Sequence, residues 1–187
     1  PGWRPIAVVK GWASAGVPTR DTGLGPTLAI PKALDRAGMN VGDVDLFEIN
    51  EAFAAMCVAS TRILGIDHAI TNVNGSGCSI GHPVAATGAR MIVTLVNELA
   101  RRGGGIGVSS MCAGGGMGSA TVLEVLPASP GSRAGEQAFS SRGGVPPVPA
   151  AGRHPTRRAG RWPAPARSPR CGRARTATAP SPSRRIG

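Results

Sequence analysis

The sequence predicts an α/β fold: one layered α-β-α domain over residues 1–126, followed by a tail without stable structure over residues 127–187. Three observations carry that expectation. Apolar β-branched runs alternate with segments of helical spacing in the order β-α-β-α-loop-α-β-β. Charge divides sharply along the chain: the first 126 residues hold nine basic and nine acidic side chains, so the whole net charge of +11 falls on the last 61, which carry twelve arginines and only Glu136. The same last segment takes 11 of the 17 prolines and has Ile186 as its one Leu/Ile-type residue, too little apolar surface to offset the entropy of ordering.

Each element has its own signal. Residues 5–13, PIAVVKGWA, form a β-branched apolar run and read as a strand. A Gly/Pro-rich stretch from Gly16 to Pro31 leads into a short helix with Ala33, Leu34 and Ala37 on one face, stopped by Gly38. Residues 44–49 alternate apolar and acidic side chains, the pattern of a strand with one buried face. Asn50 follows as the N-cap of a small-residue helix over about 52–64. Residues 71–88 are glycine-rich, lack periodicity and read as a loop. Ala85, Ala89, Ile92, Val93, Val96, Leu99 and Ala100 then recur at helical spacing, with Arg101 and Arg102 set favourably against the helix dipole and Gly103 ending the helix. Residues 106–111 and 120–126 close the domain as two strands joined by the turn 112–118.

Several function classes fall away. No apolar run can span a bilayer, and no signal peptide opens the chain. The four cysteines lie far apart without CxxC or disulfide-like spacing, which fits reduced thiols in a cytoplasmic protein. Neither a GxGxxG nor a phosphate-loop lysine follows any glycine run, and Cys57, Cys78, His68 and His154 lack zinc-like spacing, so no metal site is expected.

Three places put reactive side chains at strand ends beside glycine. They are Asn50-Glu51-Ala52-Phe53-Ala54, the loop from Asn72 through Gly81-His82-Pro83, and Cys112-Ala113-Gly114-Gly115-Gly116-Met117-Gly118. Cys112 can act as a thiolate base or nucleophile where its pKa is lowered. The backbone N–H of Gly114 can approach an oxyanion. His82 can donate to an oxyanion or shuttle a proton, and the Asn50 amide can hold a water or an oxygen. Together they make a Cys/His/Asn acyl-transfer set. The bland counterparts stay open: Cys112 as a small core residue, Gly-His-Pro as loop geometry, Asn50 as a cap, the glycines as turns.

Over residues 3–126 these three motifs, in this order, resemble the C-terminal domain of the thiolase family, in its acetyl-CoA acetyltransferase group. The resemblance implies a layered α/β half and Claisen chemistry: condensation of acetyl-CoA to acetoacetyl-CoA, or the reverse thiolysis of 3-ketoacyl-CoA. Coenzyme A thioesters are then substrates, and no cofactor is required. By position, His82 resembles the histidine that activates a nucleophilic cysteine of the N-terminal domain and helps hold the thioester oxygen. Cys112 resembles the acid/base cysteine that takes the α-proton of the second acyl-CoA. Asn50 resembles the residue that holds a water in the same oxyanion hole, Gly114 offers the N–H of the other hole, and Phe53 with Ala52 lines the acyl pocket. Family members pair into homodimers or homotetramers, with no membrane partner.

Ser76, Cys78 and Ala85 depart from the family pattern by small changes on the loop. None of Cys57, Cys78 and Cys171 resembles the nucleophile, so the chain by itself is expected to be inactive. The sequence reads as a 5′-truncated thiolase frame with an out-of-frame, arginine-rich 3′ extension. Two other readings compete. In one, a non-catalytic remnant binds acidic partners such as nucleic acid through the tail, against which stands the scarcity of stacking aromatics there, only Phe139 and Trp162. In the other, Cys112 and His82 form a self-contained hydrolase.

Overall fold

A computed structural model describes residues 4–127; residues 1–3 and 128–187, and with them the expected unstructured tail, Cys171 and the arginine-rich binding surface, lie outside the described residues. Strand β1 (Ala7–Gly16) is followed by an interrupted 3-10 stretch (Thr19–Leu24) and helix α1 (Gly25–Arg36). A 3-10 turn (Val41–Asp43) precedes β2 (Leu46–Ile49), and helix α2 (Ala54–Leu64) follows it. After a turn at His68–Ile70 come the four-residue helix α3 (Gly77–Ile80) and the long helix α4 (Val84–Arg101). Strands β3 (Gly105–Ala113) and β4 (Met117–Val125) form the closing hairpin.

The strands make one sheet in the order β1-β4-β3-β2, with β2 parallel to β3 and the other two pairs antiparallel. Thr71 adds a single parallel bridge to Phe47 beyond β2. Alternation along the strands feeds two cores on opposite faces, which makes the sheet the middle layer. On one face Ala29, Ile30, Ala33 and Leu34 of α1 and Met56 of α2 pack on Phe47, Ile49, Val108 and Val122. On the other, Leu95 and Leu99 of α4 pack on Leu46, Leu123 and Val125. The α/β layered class expected from the pattern is the one observed.

Four local expectations need correction. Helix α1 begins at Gly25, well before the predicted start near Lys32, with Pro26 in its first turn and Pro31 inside it. The first proline suits a helix start, where the missing N–H has no partner to lose, and the second is tolerated because α1 is buried along Ala29, Ile30, Ala33 and Leu34. Strand β2 is buried on both faces, since Glu48 is covered by α4 instead of facing solvent. The loop at 71–88 contains α3 and the first turn of α4. Asn50 is not the cap of α2; Phe53 holds that position without a side-chain cap bond, which frees the Asn50 amide for another task.

Candidate active site

The site forms where the parallel pair β2–β3 ends, the usual location for chemistry in a sheet of this kind. Asn50 is the first residue after β2, and its backbone N–H donates to Ser110 O on β3 at 2.9 Å. Cys112 follows Ser110 by two residues and therefore shares its face of β3. It is a strand residue, not the first residue of the turn as its glycine neighbours suggested; the turn proper is Gly114–Gly116.

The exit of β2 is clamped by side chains. Asn72, in the left-handed region at φ 50°, accepts from Ile49 N–H at 2.8 Å and donates to Ile49 O at 2.8 Å, so its amide replaces a neighbouring strand. Ser76, fully buried, donates to Ile49 O at 3.3 Å and accepts from Glu51 N–H at 3.4 Å. Gly77 must be glycine here: a Cβ would stand 2.5 Å from Glu51 O and 3.1 Å from Asn50 Oδ1. Beneath this, Arg90 of α4 reaches Glu48 Oε2 at 3.0 Å and Ser76 Oγ at 3.4 Å. Burial pushes the Glu48 carboxyl up to about 7, and Arg90 pulls the other way without cancelling it.

On this platform Asn50, with no exposed surface, turns its Nδ2 to the His82 ring, 3.4 Å from Nδ1 and 3.5 Å from Nε2. Asn50 Oδ1 is buried and has no protein partner. His82 is half-buried in the Gly81–Pro83 link that enters α4, and its Nδ1 lies 2.7 Å from Thr87 Oγ1. The structure thus brings Asn50 and His82 together across 32 positions of sequence.

Cys112 Sγ stands 3.3 Å from Met56 Sδ of α2, and burial raises its thiol above the ordinary range. Met56 also forms part of the wall of a hollow of about 220 Å³ lined by Arg20, Asp21, Gly23, Leu24, Phe53, Ala55 and Ala59. Phe53, itself 51% exposed, is one of the residues lining this hollow, and Ala52, exposed beside it, is not. Gly114 is exposed at the start of the hairpin turn, with open space where a Cβ would be. A larger hollow of about 450 Å³, at Val9, Lys10, Gly11, Trp12 and Arg36, lies on the β1 edge and involves none of these residues. Among the described residues no group of three or more His, Cys, Asp or Glu gathers as a metal site, and no helix is long and apolar enough to cross a membrane.

Sequence reasoning missed Thr87, Met56 and the Glu48–Arg90 pair, and named Asn72 only as the start of the candidate loop. The first has a signal, a hydroxyl five residues after a loop histidine at the start of a helix. The others act through contacts between elements distant in sequence and have none.

Comparison with known proteins bears on what this arrangement is. A family model described as the thiolase C-terminal domain matches residues 3–125. The chain is 48% identical over 125 residues to an acetyl-CoA acetyltransferase of Shinella zoogloeoides, covering 67% of this chain and 32% of that protein. It is 44% identical over 124 residues to a 3-ketoacyl-CoA thiolase of Bacillus subtilis, covering 66% and 32%. The crystal structure of the Bacillus anthracis acetyl-CoA acetyltransferase superposes with a TM-score of 0.65 at 46% identity, over 67% of this chain and 32% of that one. The chain spans about a third of the length of the curated relatives it matches.

Proposed function

The chain belongs to the thiolase family by its C-terminal domain, and from that premise we propose that residues 3–125 supply the acid/base and oxyanion half of an acyl-CoA acyltransferase site. The reaction is the Claisen condensation of acetyl-CoA to acetoacetyl-CoA, or the reverse thiolysis of a 3-ketoacyl-CoA, with coenzyme A thioesters as substrates and no cofactor. The observation that carries the reading is the buried Asn50 amide held 3.4–3.5 Å from the His82 ring at the end of the β2–β3 pair.

Each side chain has a task its surroundings suit. His82 takes the proton of a cysteine thiol contributed by a complementary domain, and that sulfur attacks the thioester carbonyl. The carbonyl oxygen gains the negative charge; the protonated His82 donates to one such oxygen and the Gly114 N–H to the other. Cys112, held as a thiol by burial, gives its proton to the departing coenzyme A sulfur. The thiolate so formed takes the α-proton of the second acyl-CoA, and the carbanion attacks the acyl-enzyme carbonyl, expelling the nucleophilic cysteine's sulfur, which recovers its proton from His82. A water held by Asn50 satisfies the enolate oxygen and the buried Asn50 Oδ1 together. Phe53 and Ala52 bound the acyl group beside the 220 Å³ hollow. The intact assembly is a homodimer or homotetramer.

In this reading none of Cys57, Cys78 and Cys112 is the nucleophile, and residues 3–125 assayed alone are expected to transfer no acyl group. The test is a chimera in which residues 3–125 replace the matching third of the Shinella zoogloeoides acetyl-CoA acetyltransferase. A folded chimera that cleaves acetoacetyl-CoA with coenzyme A, beside a chain that does not, is the expected result. A folded but silent chimera contradicts the reading.

A further inference from the structure

Thr87 is used by nothing described so far, yet it is fully buried and its hydroxyl lies between two polar atoms. His82 Nδ1 is 2.7 Å away and Pro83 O is 3.0 Å away. A hydroxyl owns one hydrogen, so only two arrangements exist. In the first, Thr87 donates to Nδ1. That leaves its oxygen facing the Pro83 carbonyl oxygen at 3.0 Å with no hydrogen between them, a repulsive contact of two lone pairs. In the second, Thr87 donates to Pro83 O and receives the Nδ1 hydrogen. Both contacts then become hydrogen bonds; Pro83 O already accepts the Ala86 N–H at 2.7 Å and the Thr87 N–H at 2.9 Å, so what favours this arrangement is that it removes the lone-pair contact between the two oxygens.

We infer that Thr87 is a positioning residue that fixes His82 as the Nδ1–H tautomer, with the lone pair of Nε2 left for the reaction. This rests on the acyl-CoA reading for its purpose, though the tautomer itself does not. The Asn50 Nδ2, a donor, stands 3.4 Å from Nδ1 and 3.5 Å from Nε2 and so does not choose between the tautomers; the Thr87 contacts do. The consequence is directional. An imidazole protonated at Nδ1 can accept the nucleophile's proton at Nε2 and then present that same N–H to the oxyanion. The opposite tautomer has no lone pair on the substrate side and cannot take the first step.

The experiment is a long-range proton–nitrogen NMR correlation on the uniformly 15N-labelled full chain in mildly alkaline buffer. The chain has three histidines, so a His82→Gln spectrum assigns the signal of interest. A pyrrole-like Nδ1 and a pyridine-like Nε2 for His82 are expected, unchanged in Thr87→Ser. In Thr87→Val, which keeps the volume and removes the hydroxyl, the proton moves to Nε2 or averages between the two. A pyrrole-like Nε2 in the unaltered chain overturns the inference without any variant having to fold, as does a Thr87→Val spectrum with the original pattern. In the chimera, Thr87→Val lowers kcat by about 10²-fold with KM held, and Thr87→Ser restores it. A chimera that is silent while the spectra stand as expected sinks the acyl-CoA reading and leaves the tautomer assignment in place.

Discussion

Cys57, Cys78 and Cys112 share one side chain and occupy three environments, and their chemistry should differ accordingly. Burial pushes the Cys57 thiol up to about 11, helped by the charge of Glu51. Burial also raises Cys112, while Cys78 is exposed. Alkylation at pH near 8 followed by peptide mass spectrometry is expected to modify Cys78 first and Cys57 last. Cys112 reacting ahead of Cys78 would mean a thiolate at rest and would remove its proton-donor step. Asn72 offers a second residue-scale prediction. Replacing it by alanine leaves the Ile49 N–H without a partner and Ile49 O to Ser76 alone, and is expected to cost about 1–3 kcal/mol, read by denaturant unfolding. A cost near zero would mean that water substitutes freely for the clamp. At this scale the sequence was legible in the reactive residues and illegible in what holds them. Asn50, His82 and Cys112 stand out because reactive types beside glycine at strand ends are few. Asn50 looked equally like a cap, and only the fold decides between a cap and an amide turned to a histidine.

Among the elements, α4 links the core to the site and shows a charge arrangement with a pH signature. Its Glu98 is buried, which alone would raise the carboxyl. Hydrogen bonds from Arg101, Arg102 and Asn74 outweigh that and hold it at about 2. A carboxyl held below its ordinary value stabilises the folded state above about pH 4.5, and this contribution is lost as pH falls towards 2. Glu98→Gln should therefore flatten the acid limb of stability by about 2 kcal/mol, after discounting for the exposed arginine partners. Unfolding midpoints measured across that range check it, and an unchanged acid limb contradicts it. The helical period of α4 was plain in the sequence because one face meets one core. Helix α1 was half hidden because Pro26 and Pro31 are breakers in isolation, and burial of the helix overrides them. The β2 strand read as half-exposed because Glu48 looks like a solvent residue until Arg90 arrives from 42 positions away.

For the molecule as a whole, the described domain leaves large apolar side chains in water on several elements. Trp12 is 63% exposed, Ile63 60%, Val84 81% and Val93 59%. Apolar surface of that extent favours association, so sedimentation of the chain is expected to show species larger than a monomer at micromolar concentration. A monodisperse monomer would contradict this. The α-β-α layering was legible from the order of periodic segments and the closing hairpin from its short turn, whereas the β2–β3 pairing spans residues 50–104 and no local signal gives it. The measurement that bears most directly on the central claim is the rate of acetoacetyl-CoA thiolysis by the chimera carrying Cys112→Ala, beside the chimera with Cys112 intact. The account predicts a fall of about 10²-fold or more with the fold retained. An unaltered rate would show that Cys112 moves no proton in the reaction, and the site as drawn would be wrong.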